Sequence, residues 1–217
     1  MFNLIIFNFL FFCLIFFTFL IFDFPFIVFF VKDIPNNVNV IYQNSFLTFG
    51  TYKSNLQLPF MIFSSLILPF RLNIFFLGIY IYIGIFYGLN IFYYGGGFEY
   101  INTNSYIYIL FSIPILLLLS FLSRLKKRAY LFKTKYITLI SLLALFLIHI
   151  IALTYIIFIK DNTNNYYYLI ISYFYIPIFS QSLLVILLSI LSVYFNKIKY
   201  YLLEKYVSFN KNIIKRL

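Results

Sequence analysis

The chain has 217 residues, of which 64% are hydrophobic and 10% charged, with a formal net charge of +11. A soluble domain carries about 45–50% apolar and about 25% charged residues, so no water-soluble core hides this much apolar surface. The excess lies in 32 Phe and 22 Tyr together with Ile and Leu, which excludes disorder, and the lone Cys13 excludes an internal disulfide framework or a multi-cysteine metal site.

The expected fold is therefore an all-α integral membrane protein in one unit, 1–217. A membrane helix needs about 20 mainly apolar residues to cross about 30 Å of hydrocarbon. Five runs qualify: 4–31, 74–94, 105–122, 137–159 and 167–195. The first lacks a basic n-region and a small-residue cleavage site and outruns a signal-peptide core, so an uncleaved anchor is expected. A sixth run, 58–70, lies between Gln57 and Arg71 and is too short to span, which predicts an interfacial or re-entrant segment. The alternating pattern of a membrane barrel is absent.

Charge then sets the orientation. With five spans and the N-terminus outside, one side receives Lys32, Lys53 and Arg71, then Arg124, Lys126, Lys127, Arg128, Lys133 and Lys135, and then Lys197, Lys199, Lys205, Lys211, Lys215 and Arg216 of the 196–217 tail. Fifteen of the sixteen cations fall there and only Lys160 falls opposite, as the positive-inside rule expects. The charge thus describes orientation and anionic lipid, with no nucleic acid implied. The Arg124–Lys135 group suits phospholipid headgroups such as cardiolipin or an acidic partner face. The tail mixes Ile198, Leu202, Leu203, Val207 and Ile213 with lysines, as a surface-lying or docking helix would. Tyrosines at 93, 94, 100, 106, 108 and 166–168 mark the opposite interface, where an apolar ring and a water-seeking hydroxyl are both satisfied.

Candidate residues follow in chain order. Asp23 sits late in the first run, two residues before Pro25. Either the span ends there, or the carboxylate is an intramembrane proton relay or ion-pair partner. Gly84 and Gly88 have the spacing that lets two helix backbones approach, which predicts a helix-packing face. Gly95–Gly97 lack a following Lys-Ser or Lys-Thr and read as a flexible turn, not a phosphate cradle. His149, the only histidine, shares a helical face with Ser141, Ala144 and Ala152. That face reads as a small, polar helix–helix seam. A haem-ligand reading needs a second ligand from a partner chain, and a proton-transfer reading is also open. Pro177 should kink the last span, with Ser180, Gln181 and Ser182 following to satisfy freed carbonyls or a neighbouring helix. No nucleophile elbow, zinc-protease, Walker or dinucleotide motif is present, so neither a catalytic residue nor a resident cofactor is expected.

The bias toward Phe, Tyr, Ile and Asn, with no Trp, in segments such as FNLIIFNFLFFCLIFFTFLIFDF and YYYLIISYFYIPIF, resembles the hydrophobic proteins encoded in ciliate mitochondrial DNA, the "Ymf" open reading frames. Several of that group are membrane subunits of respiratory complexes or ATP synthase. The resemblance implies the mitochondrial inner membrane, basic loops in the matrix, the N-terminus in the intermembrane space and other subunits as partners. It suggests a non-catalytic subunit of cytochrome c oxidase or complex I. Two alternatives are a membrane-sector subunit of ATP synthase or a channel or translocase component using Asp23 or His149, and a haem-bearing anchor as in complex II. Arg71-Leu72-Asn73, Arg124-Leu125 and Gln181 echo the proton-channel subunit of ATP synthase, but the asparagine spacing fails at both arginines. The oxidase core, with its several histidines, is excluded.

Overall fold

A computed structural model describes residues 23–30, 38–43, 48–55, 57–87, 92, 95–125, 133–160 and 166–214. Its first described element departs from the expected all-helical chain. Strands β1 (Asp23–Phe30), β2 (Val38–Gln43) and β3 (Thr48–Asn55) form an antiparallel sheet in the order β1-β3-β2. The end of the expected 4–31 span is thus a strand, with Asp23 at its start opposite Asn55; residues 4–22 lie outside the described set. A run that is apolar all round carries no period to separate strand from helix. The Phe, Ile and Val of β1 favour the pleated form, and Pro25, which lacks an N–H, disfavours a continuing helix. The same proline is tolerated in β1 because that strand is an edge.

From Gln57 onward the described chain is helical. Helix α1 (Gln57–Ile67) and helix α2 (Phe70–Phe86) are joined at Leu68-Pro69. Proline pushes the residue before it out of the helical region and cannot donate to the preceding turn, so one helix ends and another begins. Ten of the eleven α1 residues are buried. Its Leu58, Met61, Ile62 and Leu66 enter the main core with Tyr80, Leu116, Leu145, Ile148, Val185 and Val193. The 58–70 segment therefore lies inside the bundle, buried among the other helices. Expected span 74–94 also changes: α2 starts at Phe70, ends at Phe86 and measures about 25 Å at 1.5 Å per residue, short of a bilayer core.

Three helices among the described residues are long and apolar enough to cross a membrane, where the sequence predicts five spans. They are α3 (Asn104–Leu125), α4 (Thr134–Tyr155), which continues through a π-helical turn at Ile156–Lys160, and the last span. That span, Ile171–Tyr201, lies within a helical segment made of α5 (Tyr166–Ile170), a π-helical turn (Ile171–Tyr175) and α6 (Ile176–Ile214). Thr103 caps α3: its Oγ1 accepts from the Tyr106 N–H at 3.2 Å and donates to the Tyr100 carbonyl at 2.7 Å. The tail from Asn196 does not begin a separate surface helix; α6 simply continues to Ile214. Helix α4 packs on α3 and α6, and α1 fills the space between them. Their outer faces show Leu118, Leu143, Phe146, Phe179 and Leu187, each at least 42% exposed, an apolar surface suited to hydrocarbon or to apolar partner helices. Three long apolar helices make this a membrane-embedded protein, helical among the described residues from Gln57 on apart from its turns.

The C-terminal carbonyls of α1, orphaned by the break, are met from α6: Asn196 Nδ2 donates to the Leu66 carbonyl at 3.4 Å and Lys199 Nζ to the Ile67 carbonyl at 3.3 Å. A lysine also complements the negative end of the helix dipole. These contacts set α1's end level with residues 196–199. A Phe70–Phe121 ring contact at 6.2 Å sets the start of α2 beside the end of α3. With Lys133 and Lys135 exposed at the start of α4, this is the cationic end of the bundle.

Candidate functional site

Helix α4 buries Ser141, Ala144, Leu145, Ile148, His149 and Ala152 along one stripe, each at most 5% exposed. The spacing of three, one, three, one and three residues keeps them on a single face. His149 lies within that face at 1% exposure, and its two ring nitrogens reach the last span in two places. Nε2 is 2.9 Å from Gln181 Oε1, and Nδ1 is 3.3 Å from the Tyr173 carbonyl oxygen. The Tyr108 hydroxyl of α3 donates to that same carbonyl at 2.5 Å, and Asn104 Nδ2 donates to the Tyr173 hydroxyl at 3.3 Å. The imidazole rests against the Tyr108 ring at 5.1 Å and edge-on to Phe174 at 6.4 Å. One junction thus joins α3, α4 and the last span.

The reason this carbonyl is open is legible in the chain. In an α-helix the Tyr173 carbonyl accepts from residue 177, which is a proline without an N–H. The preceding π-helical turn, in which the Ile176 N–H reaches back to the Ile171 carbonyl, shifts the register just before the proline. Tyr108 and His149 fill the gap. The serines expected to do so bond within their own turns: Ser180 Oγ donates to the Pro177 carbonyl at 3.0 Å and Ser182 Oγ to the Phe179 carbonyl at 2.9 Å. Ser141, Ser189 and Ser192 likewise donate to carbonyls three or four residues back, so they contribute small size to the seam more than cross-helix bonds. The Ser172 hydroxyl, in the π-helical turn, is buried and finds no partner among the described residues.

Two oxygens face the two ring nitrogens, and a neutral imidazole has one N–H. The Tyr173 carbonyl only accepts, so Nδ1 carries the proton when it bonds there. The Gln181 amide then meets Nε2 by turning its NH2 toward the ring. A proton on both nitrogens satisfies both oxygens as placed. Among the described residues no three His, Cys, Asp or Glu side chains gather as a metal site. A haem does not fit His149 as arranged: Nε2 faces Gln181, Nδ1 faces the Tyr173 carbonyl, and rings of Tyr108 and Phe174 close on the imidazole. Iron ligation would need one of these contacts broken.

The remaining expected residues are distributed as follows. Ala144 and Ala152 line the α4 face already described, and Gln181 is part of the junction. Asp23 begins β1, and its side chain lies outside the described set. Lys133 and Lys135 are exposed, Arg124 lies in the last turn of α3 with its side chain outside the described set, and Lys126, Lys127 and Arg128 lie outside it altogether. Gly88 does too. At Gly84 a Cβ would overlap the ring of Phe92, which folds back onto α2. The Gly97 N–H donates to the Gly84 carbonyl at 2.7 Å, and Gly95 and Gly97 have φ of 154° and 82°, values open to glycine. The glycine run is a docked turn. Sequence reasoning gives Tyr108 only as an interfacial tyrosine and misses Tyr173 and Asn104, although the position of Tyr173 four residues before Pro177 signals its open carbonyl. No family model, curated protein or solved structure matches this chain.

Proposed function

We propose that the protein is a non-catalytic, multi-pass subunit of a larger membrane complex, whose work is to present a fixed helical surface to neighbouring subunits and lipids. The observation that carries this reading is how the buried polar groups are used. The one histidine is engaged at both nitrogens by a carbonyl and an amide of the adjacent span, and the buried serines of the seam bond to their own helices. Such groups fix helix register; a transport path needs them to face water or a substrate. The compositional resemblance supports a respiratory complex of the mitochondrial inner membrane, cytochrome c oxidase or complex I, with Arg124–Lys135 on matrix-side headgroups such as cardiolipin.

The test is reconstitution of the purified chain in sealed liposomes under an imposed proton gradient and membrane potential. The expected result is leakage no greater than in protein-free vesicles. Proton or solute flux that is lost on His149→Leu, with the fold retained, overturns the proposal in favour of a channel or carrier component.

A further inference from the structure

Helix α2 is one of two apolar helices among the described residues that are too short to cross a membrane, and it runs from the cationic end toward the other end. It starts beside Phe121 near the cation-bearing ends of α3, α4 and α6 and stops after about 25 Å, about 5 Å short of a typical hydrocarbon core. At its far end four aromatic side chains stand outward: Tyr82, Phe86, Tyr87 and Phe98, at 53%, 59%, 68% and 61% exposure. They interlock as one patch. Tyr82 meets Phe86 at 4.8 Å and Tyr87 at 6.0 Å, and Phe86 meets Phe98 edge-on at 5.2 Å.

The patch is held in place from behind. Phe92 occupies the notch at Gly84, meets Tyr80 edge-on at 5.3 Å and stacks on Tyr100 at 5.0 Å, while the Gly97 N–H is bonded to the Gly84 carbonyl. Phe98 follows Gly97 directly and opens the 3₁₀-helix Phe98–Asn102, so the staple that buries Phe92 and Tyr100 turns Phe98 outward. Between residues 72 and 123 the sequence carries no lysine or arginine, and its only acid is the exposed Glu99. That stretch therefore supplies no cation of its own to an anionic headgroup or an acidic protein face. Rings with an apolar body and, in two of four cases, a hydroxyl suit the headgroup–acyl boundary of a bilayer.

We infer that Tyr82, Phe86, Tyr87 and Phe98 form a membrane-interface anchor in the leaflet opposite the cationic end, seated in zwitterionic phospholipid, which draws the headgroup boundary down to a helix too short to reach it. A span shorter than the local core is accommodated by thinning the bilayer beside it, at a modest cost per ångström of mismatch, and interfacial aromatic rings favour that arrangement. The inference rests on the membrane-embedded reading and is independent of which complex holds the chain.

The chain contains no tryptophan, so single Trp reporters read one position each. Tyr87→Trp and Phe98→Trp report the patch. Leu143→Trp, on the outer face of α4 about 14 Å along from its cationic start, reports mid-depth. Each variant is reconstituted in phosphatidylcholine vesicles brominated either high or low on the acyl chain, with iodide as the aqueous quencher. The expected result is greatest loss of fluorescence at 87 and 98 with shallow bromines and at 143 with deep bromines. Equal deep quenching at all three positions, quenching at 87 and 98 by iodide alone, or protection there from both quenchers overturns the anchor, assigning the patch to ordinary lipid contact, to water or to a protein partner respectively. Absence of bromolipid quenching at 143 itself would instead overturn the membrane-embedded reading.

Discussion

Replacing His149 by Leu isolates the energetics of the three-helix junction. The change keeps similar bulk in an apolar side chain that cannot hydrogen-bond and deletes both cross-helix contacts, at 2.9 Å to Gln181 and 3.3 Å to the Tyr173 carbonyl. Hydrogen bonds between membrane helices average about 0.6 kcal/mol and reach about 1.7, so two of them amount to about 1–3 kcal/mol. A double-mutant cycle of His149→Leu with Gln181→Leu should return a coupling within that single-bond range, because each change deletes the same bond. A second cycle with Tyr108→Phe should deviate the other way. Either single change leaves the Tyr173 carbonyl one side-chain neighbour, whereas the double change leaves it none, and a buried acceptor without a partner costs about 1–3 kcal/mol. The assay is reversible unfolding in mixed micelles, followed by circular dichroism as the denaturing detergent fraction rises. Additive effects in both cycles would show that the ring does not bind across the helices, and the junction as described would be wrong.

Pro177→Ala returns an N–H to residue 177, which then competes for the Tyr173 carbonyl; in that background Tyr108→Phe should become nearly silent in the same unfolding assay. Gly84→Ala forces Phe92 out of its notch and should cost about 1–3 kcal/mol, whereas the same change combined with Phe92→Ala should cost little beyond Phe92→Ala alone, as thermal unfolding would report. Burial pushes the Tyr100 hydroxyl well above the ordinary tyrosine range, against hydrogen bonds from Ser105 and Thr103 that lower it. The folded state therefore holds that proton more tightly than the unfolded chain, so its contribution is complete below about pH 10 and is lost as pH climbs beyond. Tyr100→Phe should flatten stability measured between neutral and strongly alkaline pH. Asn196→Ala and Lys199→Met remove the side chains that meet the end of α1; each should lower stability by about 0.3–1 kcal/mol, and hydrogen exchange should rise first in Ser64–Leu68.

Length and apolar content were enough to read the spans at α3, α4 and the last segment, because about 20 uninterrupted apolar residues have few other uses. They were not enough for 23–30. Phe-rich sequence without a polar face has no period, and whether it becomes strand or helix depends on pairing with 48–55, which is distant in sequence. The burial of the 58–70 segment is not legible in sequence for a related reason. Its apolar residues suit an interface equally well, and only the packing of three other helices around it decides for burial. His149 and Gln181 stood out as polar residues in apolar runs, yet their meeting depends on helix register that no single-chain spacing supplies. Tyr108 was read as an interfacial tyrosine because its residue type fits that depth. The open Tyr173 carbonyl that it fills could have been read from Pro177. The spacing at Gly84 suits backbone contacts between helices and notches for a ring alike, and nothing in it signals that Phe92 fills such a notch.

The most direct measurement for the proposed role is gentle detergent extraction from the native membrane, native gel separation and mass spectrometry of the band that holds this chain. Co-migration with the core subunits of cytochrome c oxidase or complex I is the expected result, and it would turn the outer faces of α3, α4 and α6 into interfaces to be mapped. Migration of the chain alone, or as a small homo-oligomer, would contradict a subunit role.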